Sequence, residues 1–131
     1  GMNVAVATPD GYKPDGAVLE FTKGYGDKFA LETDPFMAAS GADILITDTW
    51  TSMGEEAEKE ERKKIFKDYQ INRQLLAAAN AGAMVQHCLP AYRGQEITEE
   101  VFEEHADEIF NEAENRLHAQ KAVMVKLMKK D

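Results

Sequence analysis

Short, uninterrupted apolar runs alternate with polar, helix-forming segments along this chain. Runs of this length are typical of strands that are buried on both faces of a parallel sheet. Strands that alternate with helices indicate βαβ units, with helices lying on the faces of the sheet. The pattern therefore predicts an α/β fold of three layers, in which helices flank a mainly parallel sheet of about five strands. We expect strands at 3–8, 29–32, 44–48, 83–87 and 108–110, and helices at 15–25, 35–40, 54–67, 73–80, from 98 onward and at 115–130.

Capping residues mark several of these helix boundaries. Asp34 followed by Pro35 is typical of an N-cap and a first helical residue. Asn72 can cap the helix that follows it, and Thr98 can open an acidic helix.

The composition narrows the class of protein. With 131 residues, 44% hydrophobic and 30% charged, the chain has the size and composition of one globular domain. The net charge of −9 argues against a nucleic-acid partner or an anionic membrane surface. Scattered glycines without a phosphate loop argue against a dinucleotide or ATP site. A single cysteine excludes an intramolecular disulfide framework and a cysteine-based zinc cluster, and we expect a cytoplasmic setting.

Polar residues suited to ligand binding follow the third predicted strand. Asp48 ends that strand, where open α/β sheets bind ligands, and Ser52 and Met53 lie in the loop beyond it. Ser52 and Glu55 have the spacing of a capping box, so Ser52 is a helix cap or a ligand residue, and the two roles are compatible. Asp48 and Ser52 suit an ammonium group, and the Met53 amide suits a carboxylate. Together they describe an amino-acid ligand.

The only cysteine follows the fourth predicted strand, in the sequence His87-Cys88-Leu89-Pro90. Pro90 restricts Leu89 to extended backbone, which presents a thiol and a carbonyl together at the sheet edge. A lone cysteine here is a buried structural residue or part of a site, and these residues alone leave both readings open. His87 is expected to serve structure, since the sequence shows no partners for a metal site.

Arg116 falls in the first turn of the last predicted helix. A cation at that position is unfavourable because it opposes the helix dipole. Its presence therefore indicates another role, such as binding a polar or anionic ligand. The alternative is a solvated arginine.

Three motifs in this order resemble ornithine carbamoyltransferase: Asp-Thr-Trp-Thr-Ser-Met-Gly at 48–54, His-Cys-Leu-Pro at 87–90 and Glu-Asn-Arg at 114–116. The likeness covers essentially the whole chain. It implies transfer of a carbamoyl group from carbamoyl phosphate to the δ-amino group of L-ornithine, giving citrulline and phosphate, with no cofactor and no metal. The resemblance also implies that Asp48 and Ser52 hold the α-amino group of ornithine, while the Met53 amide helps to hold the α-carboxylate.

The reacting groups are likewise implied by the resemblance. Cys88 and the Leu89 carbonyl sit beside the attacking amine, with Cys88 as a proton acceptor rather than a covalent nucleophile. Arg116 polarises the carbamoyl carbonyl and stabilises charge in the transition state. Tyr92 stands where the family usually has His, and we expect little effect on the chemistry.

Two parts of the family pattern are absent from the chain: the carbamoyl-phosphate domain, and the first strand of the ornithine domain with the Asn that completes the α-carboxylate site. We therefore expect residues 1–131 to form a single, incomplete ornithine-binding domain of Rossmann-like fold that is inactive alone. The lost strand leaves unpaired edges, which favours a homo-oligomer, as in the trimeric parent family, or strand exchange between chains. Two alternatives stay open: a carbamoyltransferase for another amine, such as putrescine or an acylated ornithine, and a non-catalytic module that binds an amino acid or itself.

Overall fold

The structure, a computed structural model, describes residues 1–51 and 58–129. Strands and helices alternate along these residues, which confirms the α/β class. Short 3-10 segments at Lys23–Lys28 and Lys67–Tyr69 extend α1 and α3. In chain order the elements are β1 (Val4–Ala7), α1 (Gly16–Thr22), β2 (Phe29–Glu32), α2 (Pro35–Ala39), β3 (Ile44–Thr47), α3 (Lys59–Phe66), α4 (Arg73–Ala78), β4 (Met84–His87), α5 (Glu99–Glu104) and α6 (Ala106–Met128).

The described strands form two parallel pairs rather than one continuous sheet. β1 pairs with β2, so that Val4 lies opposite Phe29. β3 pairs with β4, and Thr47 at the end of β3 lies opposite His87 at the end of β4. Because these two strands are parallel and in register, the residues that follow Thr47 and His87 leave the sheet at the same edge.

The predicted helix caps are confirmed. The Asp34 carboxylate accepts from the Phe36 N–H at 2.8 Å, and Pro35 is the first helical residue. The Asn72 side chain accepts from the Leu75 N–H at 2.9 Å. Thr98 caps α5 in the same way. Each such cap stabilises its helix by about 1 kcal/mol and fixes the direction in which the chain leaves the preceding segment.

The hydrophobic core joins β3 and β4 to the helices that cover them. It buries one residue of α2, one of α4, two of α5 and one in the first turn of α6, with further apolar residues from β3, β4 and the loops. None of the described residues of β1, β2 or α1 belongs to it. The buried apolar contacts that stabilise the fold are therefore concentrated around β3, β4 and the helices that cover them. The members are Ala39, Leu45, Ile71, Leu75, Val85, Ile97, Val101, Phe102 and Ile109.

The predicted fifth strand at 108–110 is wrong, because these residues belong to α6. Ile109 is fully buried while Phe110 is 53% exposed, as expected for a helix that turns one face to the core. The Glu108 carboxylate accepts from the Val85 N–H at 2.9 Å. Since alternate N–H groups of a parallel strand point to opposite sides, this bond satisfies the edge of β4 that faces away from β3. At Val85, the Glu108 carboxylate thus accepts the hydrogen bond that a carbonyl of a further strand would otherwise accept.

The environment of Glu108 favours its charged form. Burial raises the pKa of its carboxyl, but the hydrogen bonds from His105 and the Val85 N–H outweigh burial and hold the pKa below its usual value. An ionised carboxylate is the stronger acceptor, which suits its role at the edge of β4.

Several apolar side chains stay open to solvent in the chain as described. Ile46 on β3 is 71% exposed, and Leu127 near the end of α6 is 80% exposed. No described helix combines the length and the apolar composition needed to cross a membrane.

Candidate functional site

The carboxyl ends of β3 and β4 bring Asp48 and Cys88 together. Asp48 directly follows β3, and Cys88 directly follows β4. One polar atom each from Asp48, His87 and Cys88 lie within 4.8 Å of one another. The Thr49 N–H donates to the Asp48 carboxylate at 2.7 Å, which fixes one of its oxygens. Asp48 and Cys88 therefore lie close together at this edge of the sheet.

The Cys88 thiol is held in its protonated form. Burial raises its pKa most, and the hydrogen bond to the Asp48 carboxylate together with the negative charge of that group raises it further. The charge of Glu112 acts in the same direction, while Arg116 lowers the pKa. At neutral pH the thiol is thus a hydrogen-bond donor to Asp48 rather than a thiolate nucleophile.

Arg116 lies in the middle of α6, not in the first turn of a helix. The helix begins at Ala106, ten positions earlier in the numbering, so the argument from the helix dipole was wrong. The side chain is exposed, and its positive charge acts on the Cys88 thiol. Arg116 therefore lies near enough to Cys88 for its charge to act on the thiol, on a helix that packs against β4.

The turn after β4 departs from the extended backbone predicted for Leu89. Its φ is +55°, in the left-handed region, and the Leu89–Pro90 peptide bond is cis. The Leu89 N–H donates to His87 Nδ1 at 3.0 Å, while His87 Nε2 lies 3.0 Å from Glu96 Oε1. Glu96 is a residue of this region that the sequence did not single out, since nothing local marks a buried partner nine positions away.

The remaining predicted site residues, Ser52 and Met53, lie outside the described residues, as does the predicted capping box with Glu55. The described chain reaches Thr51, which is partly buried, and continues at Glu58. His87 offers no free ring nitrogen to a metal beside Asp48 and Cys88, because both nitrogens are hydrogen-bonded. We assign no metal to this cluster.

Residues 1–127 match the family model of the aspartate/ornithine carbamoyltransferase Asp/Orn-binding domain. The chain belongs to this family. Ornithine carbamoyltransferase from Gloeobacter violaceus is 55% identical over 132 residues, covering 98% of this chain and 42% of that protein. The one from Nitratiruptor sp. is 52% identical over 134 residues, covering 99% of this chain and 43% of that protein.

Solved structures give the same family. The crystal structure of anabolic ornithine carbamoyltransferase from Campylobacter jejuni superposes with a TM-score of 0.89 at 45% identity. The match covers 95% of this chain and 42% of that one. The resemblance predicted from the three motifs is confirmed, and this chain spans less than half the length of these relatives.

The raised pKa of the Cys88 thiol leads to a test. Cys88 is the only cysteine, so alkylation by iodoacetamide reports this thiol alone. Only the thiolate reacts, and we expect the midpoint of the pH–rate profile to lie above that of an ordinary thiol. Asp48→Asn removes the acceptor charge and lowers the midpoint, whereas Arg116→Gln raises it.

An exposed carboxylate elsewhere supplies the control for this profile. Asp27→Asn, in the 3-10 segment after α1, leaves the midpoint unchanged. A midpoint that stays in place or rises in Asp48→Asn would show that Asp48 does not hold the thiol proton.

Proposed function

We propose that this chain supplies the ornithine-binding half of a carbamoyl-transfer site. The observation that carries the proposal is the meeting of a carboxylate and a protonated thiol, Asp48 and Cys88, at the adjacent carboxyl ends of β3 and β4. Such a strand end is where open α/β sheets bind ligands. The family membership supports carbamoyl transfer as the reaction, and the names of the relatives support ornithine as the acceptor.

The carboxylate suits the amino-acid end of ornithine. Asp48 is exposed, and one of its oxygens already accepts from the Thr49 N–H, so the carboxylate is oriented before a ligand arrives. Its charge attracts the α-ammonium group of an amino acid. We place Ser52 beside Asp48 at that group, and the Met53 amide at the α-carboxylate.

The reaction itself needs a neutral δ-amine. Its lone pair attacks the carbamoyl carbon, the bond from that carbon to the phosphate oxygen breaks, and the amine nitrogen loses a proton. Since the Cys88 thiol is protonated, it can accept this proton only by passing its own to Asp48. The Leu89 carbonyl would hold the amine, and Arg116 would stabilise negative charge on the carbamoyl oxygen.

The carbamoyl-phosphate half of the site belongs, in this proposal, to the part of the relatives that the chain does not span. The share of 42–43% covered in the two sequence relatives is consistent with this division. We therefore expect no citrulline from the chain alone. Its cytoplasmic location, its oligomeric state and any strand exchange stay predictions.

The test is an NMR titration of the ¹⁵N-labelled chain with L-ornithine. We expect weak binding, with a Kd on the order of 1 mM or above, because only part of a site is present. The amide shifts should concentrate at Asp48, Thr49, Cys88 and Leu89. Asp48→Ala should abolish these shifts, because it removes the group that pairs with the α-ammonium.

Two controls separate binding at this site from general effects. Asp27→Ala removes an exposed carboxylate in the 3-10 segment before β2 and should leave the titration unchanged. Putrescine keeps both ammonium groups of ornithine but lacks the α-carboxylate, so its shifts at Asp48 should be weaker than those of ornithine. Shifts that survive Asp48→Ala, or an absence of shifts at 48–49 and 88–89 at saturating ornithine, would refute the proposal.

A further inference from the structure

A buried ionisable pair stands behind the Cys88 turn. His87 and Glu96 are both fully excluded from solvent, with His87 Nε2 lying 3.0 Å from Glu96 Oε1. A buried histidine and glutamate persist in a protein interior when they hydrogen-bond each other. Glu96 meets this condition through Oε1, while its Oε2 is buried without a hydrogen-bond partner among the described residues. Neither side chain is accessible from the solvent-facing side on which Asp48 is exposed.

The hydrogen bonds assign one tautomer to His87. Nδ1 accepts from the Leu89 N–H at 3.0 Å, so Nδ1 carries no proton. The proton of the neutral ring then lies on Nε2, which donates to Glu96 Oε1. A carboxylate acceptor at Nε2 favours this tautomer over the other, which would direct an N–H of the ring against the N–H of Leu89.

The Leu89 backbone needs such a partner. Its φ of +55° is uncommon for a residue with a side chain, and such a conformation persists where neighbouring groups hold it. His87 Nδ1 is the acceptor that the described structure provides for the Leu89 N–H. The bond therefore fixes the turn that carries both the Cys88 thiol and the Leu89 carbonyl.

Glu96 also holds the far end of the same turn. Its Oε1 accepts from the Tyr92 N–H at 2.6 Å, so one oxygen joins the end of β4 to the chain beyond Pro90. The backbone of Glu96 is itself anchored, because its carbonyl accepts from the Ile71 N–H at 2.9 Å. Its neighbour Ile97 is fully buried in the core.

We infer that Glu96 is a positioning residue, which acts through His87 to hold Cys88 and Leu89 in the geometry of the site. The inference rests on the proposed function only in taking these two residues as the groups that receive the amine. Glu96 is fully buried, so it does not contact a substrate bound at the surface. His87 is not a proton acceptor for Cys88, since both of its nitrogens are engaged elsewhere.

Two NMR readouts of the labelled chain test this inference without any substrate. Long-range ¹H–¹⁵N spectra report the tautomer of His87, and amide hydrogen exchange reports the Leu89 N–H. In the unmodified chain we expect the Nε2–H tautomer and a protected Leu89 amide. In Glu96→Ala we expect loss of that tautomer preference and exchange of the Leu89 amide faster by roughly tenfold or more, the factor expected from one lost hydrogen bond.

A conservative variant and an exposed control separate positioning from general packing. The side-chain oxygen of Glu96→Gln can still accept from Nε2–H, so this variant should keep the tautomer and most of the protection. Glu99→Gln, an exposed acid in α5, should change neither readout. In Glu96→Ala the exchange of the Leu89 amide should increase by a larger factor than that of the core amides of Leu45 and Val85, which report the change in global stability.

The outcomes are decisive in each direction. An Nδ1–H tautomer in the unmodified chain would overturn the inference, and this measurement does not depend on whether any variant folds. Unchanged Leu89 exchange in a folded Glu96→Ala chain would overturn it as well. The ornithine titration is a separate experiment, so the proposed function can fail while the positioning role of Glu96 stands, or the reverse.

Discussion

Phe102→Ala will destabilise the chain by about 3–5 kcal/mol, the cost typical of emptying a buried phenylalanine site. The ring is 2% exposed, lies edge-on to Phe110 with centroids 6.1 Å apart, and has the Arg93 guanidinium 4.1 Å from its centroid. Domains are stable by only about 5–15 kcal/mol in total. The variant should therefore be largely unfolded at moderate denaturant concentrations where the unmodified chain is folded.

Urea unfolding followed by circular dichroism measures this loss. The matched control is Phe21→Ala, which deletes the same ring from α1 at a position that is 68% exposed. Its cost should stay near about 0.5 kcal/mol, as for most surface substitutions. Equal losses in the two variants would mean that α5 does not form the stable part of the fold.

The sequence predicted strands best where the apolar run is short and closed by a strong signal. β2 was predicted with the bounds that the structure shows, because Asp34-Pro35 ends it and opens the next helix. β3 and β4 were likewise placed to within a residue. Such runs carry the information locally, in residues that a strand needs and residues that stop it.

The start of α6 shows the opposite case. Ile109 and Phe110 form an apolar pair inside an acidic segment, and a pair is too short for its periodicity to separate helix from strand. His105 at the N-terminus of α6 makes no side-chain cap hydrogen bond, so the usual start signal is missing. What places these residues in a helix is tertiary: the burial of Ile109 and the bond from Glu108 to Val85. Because the last helix was predicted to begin at 115 rather than at Ala106, Arg116 was predicted to lie in its first turn.

The sequence predicted the site residues at the strand ends, but not the buried residues that hold them in position. Asp48 and Cys88 each follow an apolar run, and parallel strands bring such positions to one edge. Glu96 looks like any solvated acid in the sequence, because its burial depends on contacts with His87, Tyr92 and Ile71 that only the folded chain forms. The left-handed backbone of Leu89 depends on the same contacts.

The buried His87–Glu96 pair should be strongly coupled in stability. His87→Leu leaves the Glu96 carboxylate fully buried with the Tyr92 N–H as its recorded donor, and we expect a loss of about 3–5 kcal/mol. Glu96→Leu leaves the His87 Nε2–H without its acceptor, at about 1–3 kcal/mol. The double variant removes both buried polar groups together, so it should cost less than the sum of the single losses by about 0.5–3 kcal/mol.

A double-mutant cycle from urea unfolding measures this coupling, and α6 provides a control pair of the same residue types. His118 Nε2 lies 3.4 Å from Glu114 Oε1, with side chains that are 56% and 68% exposed. Water solvates both groups there, so His118→Leu and Glu114→Leu should be additive within error. Additive losses at His87 and Glu96 too would mean that the buried pair is not satisfied by its mutual bond. Strong coupling at the buried pair, but not at the exposed pair, would show that the His87–Glu96 hydrogen bond stabilises the fold because it is excluded from solvent.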